Sequence, residues 1–341
     1  MIKHRPPAAC PDCDGFTRRD FLRTTLTGLA AAASGVPLLS PPSLNAAPKP
    51  TDVSETLVTT LYKSLTPAQL ATVCFPFDDP LRRKVDNNWF ITDKRVAQCF
   101  SPDQQDLIRQ IFRGVHSPEY ADKVMQQVEH DMGKEGFGGC AVALFGTPGT
   151  GKFEFVLTGR HVTRRCDGDS VAGAAFGGPI FYGHAAHGFY EKPDHPGNIY
   201  WFQALQANAV FNALDGKQRA LALLGNGPAE RGTETVRLTG QTATLPGLPV
   251  AAMSRDQKDL LRKVMADLLA PFRRPDADEA LKLIEDNGFD NLHLAFYKNQ
   301  DVGNDGVWDV WQIEGPAMIW YFRGDPHVHV WVHVREDAQQ A

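Results

Sequence analysis

Apolar and polar residues alternate along this chain with two different periods. From Thr66 to Met132, and again from Asp215 to Asn287, apolar positions recur every three or four residues, the spacing of helices that bury one face. The stretches "PDQQDLIRQIFRGV", "PEYADKVMQQVEHDM", "RDQKDLLRKVMADLLAPF" and "DADEALKLIEDN" carry the pattern most clearly. One start signal is reused. Thr66, Ser101 and Ser254 each stand three residues before a glutamine (Gln69, Gln104, Gln257), and Asp215 stands three before Gln218. A hydroxyl or carboxylate at the cap takes a free amide of the first turn, and the glutamine reaches back to the cap's own amide.

Two other regions follow period two. Residues 141–181 contain "AVALFG", "KFEFVLTGRHVTRR" and "SVAGAAFGGPIFYG". Residues 292–334 contain "LHLAFYKN", "GVWDVWQIEG", "AMIWYFRG" and "HVHVWVHVR". Both are rich in β-branched and aromatic residues and are broken by Gly, Asp-Gly and Gly-Pro turns. The prediction is an α+β fold: an antiparallel sheet built from the middle and C-terminal β regions, with flanking and inserted helices, in one domain over residues 53–341. No internal repeat is evident beyond the reused cap.

The stretch "GTPGTGKF", Gly146–Phe153, matches a phosphate-binding loop up to its last position. Such a loop needs a Ser or Thr after the lysine to hold magnesium, and a helix starting there to present amides to phosphate. Phe153 takes the Ser/Thr place, and "FEFVLTG" is strand-like. The stretch therefore reads as a hairpin turn, and no nucleotide cofactor is expected.

The chemistry in this sequence lies in its histidines. In "HVHVWVH", His327, His329 and His333 fall on alternate positions and so face one side of a strand. His327 and His329 are about 7 Å apart along it, a spacing at which two imidazoles can converge on one ion, whereas His333 lies about 13 Å further on. "TGRHVTRR" supplies His161 on the other β region, and "FYGHAAHGF" supplies His184 and His187. If the two regions form one sheet, His161 can meet His327 and His329. The expected ligands are His161, His327 and His329, with His184 or His187 as an addition. Arg160 and His333 are the residues placed to orient or protonate a substrate. Imidazole donors suit copper, zinc or iron. Asp325, Glu336 and Asp337 flank the last strand and are the carboxylates in reach of it.

Composition narrows the partners. The net charge of -5 and the lack of a basic patch argue against a nucleic-acid surface. At the N-terminus, "TRRDFLR" (Thr17–Arg23) precedes the mildly apolar "TTLTGLAAAASGVPLL". This resembles a twin-arginine export signal, with cleavage expected after residue 46 and a linker over 47–52. The expected partners are the export machinery and a small-molecule substrate or ligand, and the expected location is periplasmic or extracellular. No later apolar run is long enough for a stable membrane span in the mature protein. Cys10 and Cys13 lie within the signal. Cys74, Cys99, Cys140 and Cys166 lack metal-site spacing and leave open one disulfide or free thiols.

The segments "FGTP", "GRHVTRRCDGDSVAGAAFGGPIFYG", "WQIEGPAMIWYF" and "HVHVWVHVRED" together resemble an exported family catalogued as domain of unknown function 3500, over residues 52–337. In that family a Gly-His-His strand and a closing His-x-His strand recur. Here the first appears as Gly159-Arg160-His161, and the second matches at His327 and His329. The resemblance implies organisation and export rather than a settled activity. The sequence thus leads to a His-ligated transition-metal enzyme, with redox chemistry favoured over hydrolysis. The alternative is a non-catalytic periplasmic protein that binds a metal or small ligand.

Overall fold

All four cap signals act as the sequence predicts. In the computed structural model, which describes residues 53–184, 197–240, 245–298, 301 and 304–338, Thr66, Ser101, Asp215 and Ser254 each close a reciprocal capping box. Their glutamines do a second job. Gln69 donates to Gln104 Oε1 at 2.7 Å and Gln218 donates to Gln257 Oε1 at 3.0 Å. Each cap is thereby tied to the start of another helix, and two helix pairs are built the same way.

The β regions form one sheet. Its strands are β1 (Cys74–Phe75), β2 (Ala141–Gly146), β3 (Phe153–Gly159), β4 (Val162–Cys166), β5 (Ile180–Gly183), β6 (Leu223–Leu224), β7 (Leu248–Pro249), β8 (His293–Tyr297), β9 (Val310–Gly315), β10 (Met318–Arg323) and β11 (His329–Val334). The order is β1-β2-β3-β4-β5-β11-β10-β9-β8-β6, with β7 beside β8. Only the short strands β1 and β6 run parallel to their neighbours, so the sheet is antiparallel in the main and the fold is α+β.

This order overturns one expectation, that the cap alone is repeated. Read outward from the β5–β11 boundary, the sheet has the same plan on both sides: four antiparallel strands, then a two-residue parallel strand that follows a capped helix. "SPDQQDLIRQIF" and "SRDQKDLLRKVM" match in register at Ser101/Ser254, Asp103/Asp256, Gln104/Gln257, Asp106/Asp259, Leu107/Leu260 and Arg109/Arg262. The chain holds two copies of one plan, too diverged to see in the β regions.

Both faces of the sheet are covered. Val330, Val332 and Val334 point into the core shared with the helices Pro102–Gly114, Phe202–Asn212 and Arg255–Leu268. Trp331, on the opposite face of β11, packs with Phe181, Val85, Val236 and Tyr321. That face is covered around Val85 and Val236 by loops and short 3-10 turns, Pro80–Arg83 and Gly232–Val236, rather than by an α-helix. The turn at 147–152 joins β2 to β3 as a hairpin, with Gly146 opposite Phe153. Three of its amides bond within the turn: Thr147 N–H donates to Lys152 O and Gly151 N–H to Thr147 O, each at 3.0 Å, and Thr150 N–H to Thr147 O at 3.2 Å. Phe153 starts a strand, so the helix that a phosphate-binding loop requires is not there.

The four described cysteines are free. Burial pushes the Cys140 thiol up to about 12 and that of Cys74 up to about 11. No described helix is long and apolar enough to cross a membrane. The N-terminal segment read as an export signal and linker lies outside the described residues.

Under the irregular cover, Glu154 is wholly buried and holds two arginines, Arg165 at 2.6 Å and Arg82 at 2.8 Å. A carboxylate removed from such a site leaves buried positive charge uncompensated. Glu154→Gln should cost about 3–5 kcal/mol in denaturant unfolding; a loss below about 1 kcal/mol, the scale of an exposed pair, would show that the pair is not a structural anchor.

Candidate metal centre

The β5–β11 ladder assembles the histidines. His329 is the first residue of β11 and lies opposite Gly183. A side chain at 183 would collide with the carbonyl of Val328, so glycine is needed there for β5 to approach. His161 does not sit on a strand as predicted. Arg160 and His161 form the two-residue turn between Gly159 and Val162, and the turn carries the imidazole past the strand ends. His327 likewise precedes β11 rather than lying in it.

These three residues meet. His161 Nε2 is 3.1 Å from His327 Nε2, and His327 Nε2 is 2.9 Å from His329 Nε2. Donor atoms of all three lie within 4.8 Å of one another. Nitrogens bound to one tetrahedral ion through bonds of 2.0–2.1 Å would be about 3.3 Å apart, so the cluster matches the size of a first shell. All three rings are buried, at 3%, 0% and 1% exposure. Phe181 walls the site, its ring 5.1 Å from that of His329.

Two of the outer nitrogens have carboxylates beside them. Asp131 Oδ2 accepts from His161 Nδ1 at 3.1 Å, and His329 Nδ1 lies between Glu230 Oε2 at 2.7 Å and Arg323 Nη2 at 2.6 Å, able to donate to the first or accept from the second. A proton on His161 Nδ1 leaves a lone pair on its Nε2, and where Glu230 rather than Arg323 engages His329 Nδ1 the same holds there, so that both lone pairs face His327 Nε2. One proton there cannot serve both, but a cation among the three nitrogens can. Protonating the ring instead is unfavourable at His329: burial, then Arg323, His161 and His184, hold its pKa well below the ordinary value. Arg323 Nε lies 3.3 Å from Glu230. Burial raises the Glu230 carboxyl above its usual range, while Arg323 opposes that rise. The three buried histidines could hold a metal.

The other candidates are placed differently. His184 follows Gly183, is buried, and donates from Nε2 to Asn198 Oδ1 at 3.1 Å. It is near enough to bias His329 electrostatically but is outside the three-residue group. His187 lies outside the described residues. His333 is at the far end of β11, with Nδ1 3.0 Å from Val236 O. Arg160 is half-buried in the His161 turn, where its amide N–H meets Met132 Sδ at 3.3 Å.

Two functional contacts escaped the sequence reading, which pointed to Asp325, Glu336 and Asp337. Asp131 had a signal: it extends the buried stripe of Val124 and Val128 on the helix Ala121–Asp131, and an acid on a core-facing stripe needs a partner. Glu230 had none, because it comes from irregular chain 99 residues away from His329 in sequence.

No curated protein and no solved structure gives a significant match to this chain. The family model described as protein of unknown function (DUF3500) matches residues 48–338, and the chain belongs to that family.

Proposed function

We propose that this is an exported metalloenzyme whose ion is held by His161, His327 and His329. The observation that carries the reading is the convergence of the three buried imidazoles, with Asp131 on the outward Nδ1 of His161 and Glu230 beside that of His329. Such carboxylate–histidine pairs fix the tautomer and the aim of a ligating ring and raise its basicity. Three imidazoles leave at least one coordination position for water or substrate, as in catalytic sites. Copper, zinc and iron all suit the donors.

Redox chemistry is favoured over hydrolysis. Hydrolysis by metal-bound water gains from a general base, and both carboxylates beside the cluster are engaged at imidazole Nδ1 atoms. His184 is the neighbour that would extend the ligand set, and Arg160, in the same turn as His161, would orient an anionic substrate. The resemblance of Thr17–Arg23 to a twin-arginine signal supports export of a folded chain to the periplasm or beyond. The second reading, a non-catalytic metal- or ligand-binding protein, would be favoured by a closed four-ligand shell.

Protein purified without chelator should carry about one transition-metal ion per chain, which metal analysis reads directly. His329→Ala should lose it while the far-ultraviolet spectrum stays unchanged. A folded His329→Ala protein that keeps its metal would refute the ligand set, and a wild type that takes up no metal on titration would sink both metal readings.

Asp131→Asn keeps the shape but removes the charge that polarises His161. Competition with a chelator should show metal affinity about 10–100-fold weaker. Unchanged affinity would mean that Asp131 does not support the ligand.

A further inference from the structure

The two ends of the β5–β11 seam, where the two copies of the plan meet, do not carry the same site, and the end away from the histidines carries a cavity. Residues equivalent to the histidines follow from the strand registers. The β3–β4 hairpin closes on Gly159 and Val162, and the β9–β10 hairpin on Gly315 and Met318. His161 in the first turn therefore corresponds to Ala317 in the second. Val162 pairs with Tyr182, and Met318 with Val334, so Tyr182 corresponds to Val334. Counting back along β5 and β11, His329 corresponds to Gly177 and His327 to Ala175. Gly183, the partner of His329, corresponds to Arg335. At one end of the β5–β11 seam His161 of the first copy meets His327 and His329 of the second; at the other end the equivalent positions are Ala317 of the second copy and Ala175 and Gly177 of the first.

Gly177 and Arg335 both line a cavity of about 340 Å³, within the size range of small-molecule sites. It lies on the same sheet face, at the other end of β11, with His333 in its wall. Its charge is the reverse of what surrounds the histidines. Arg82, Arg83, Arg237 and Arg335 line the cavity, with Glu234 as the acid among its walls. Arg335 is 6% exposed, so its guanidinium is held inside rather than in solvent.

Part of this charge is offset. Glu154 takes Arg82 and Arg165, Glu234 lies 3.5 Å from Arg237, and Asp337 and Glu336 follow Arg335. Arginines of the cavity act on both His333 and Arg335. Burial, then Arg335 and Arg165, bring His333 down to about 4 despite a hydrogen bond to Val236. Burial lowers Arg335, and Arg82 and Arg83 push it the same way against Asp337. Val171, Val236 and Leu238 supply an apolar wall.

We propose that this cavity is a binding site for a small organic oxyanion, a carboxylate or phosphate ester whose charged end meets Arg335, Arg83 and Arg237 and whose body lies on the apolar wall. The site is separate from the histidine cluster: about 13 Å of strand separates His333 from His329. Paired guanidinium groups recognise both oxyanions through parallel N–H donors, so the ligand's charge is fixed before its identity.

The test is calorimetric titration of the full metal-replete chain with phenyl phosphate and with benzoate, against chloride at equal ionic strength. Saturable binding of either probe is expected, with phenyl phosphate alone marking a phosphoryl site and benzoate alone a carboxylate site. The double variant Arg83→Gln/Arg237→Gln alters two exposed side chains and should keep fold and metal content while weakening binding about tenfold or more. Arg255→Gln/Arg274→Gln, on helices away from the cavity, should bind as wild type does. His329→Ala should also keep the anion while losing metal, which separates this site from the metal reading. Binding of neither probe above chloride would overturn the proposal, as would equal binding by the Arg83/Arg237 variant.

Discussion

The antiparallel pairing of β5 with β11 is the interaction on which the molecule depends. It joins two half-sheets that are remote in sequence, and it exists only because Gly183 leaves room for the carbonyl of Val328. Once that ladder closes, the turn after β3 and the residues leading into β11 stand at the same end of the sheet. The histidine cluster is then a consequence of strand register. His161 and His327 are 166 residues apart in sequence and 3.1 Å apart in space. A one-residue slip would send the side chains of β11 to the opposite faces, placing valines where the imidazoles meet and imidazoles in the apolar core.

Much of this was legible along the chain. The helix starts could be read to the residue, because a capping box is local chemistry between positions three apart. The hairpin at Gly146–Phe153 was legible for the same reason: Phe153 cannot hold magnesium, and the residues after it favour strand. His327 and His329 were legible as a pair because a two-residue spacing on extended chain leaves few other arrangements. Their meeting with His161 was legible only as a condition on the sheet.

Other features depend on contacts that no local pattern records. Glu230 sits in irregular chain with neither period, and its role appears only when the cover folds over β11. The turn position of His161 was misread as strand because "TGRHVTRR" is β-rich on both sides, and a tight turn needs no proline or asparagine when Arg160 and His161 supply it. The repeated plan was hidden because the two copies differ most in their β regions, which together build a histidine cluster at one end of the seam and a basic cavity at the other. What survived in sequence is the cap and the helix after it, which serve the scaffold in both copies.

The central claim is that the three imidazoles of His161, His327 and His329, two of them with carboxylates at Nδ1, enclose one ion. X-ray absorption at the edge of the metal carried by the purified protein tests it most directly. The account predicts about three nitrogen scatterers at 2.0–2.1 Å with the outer-shell scattering of imidazole rings. A first shell of oxygen or sulfur without imidazole scattering would contradict it.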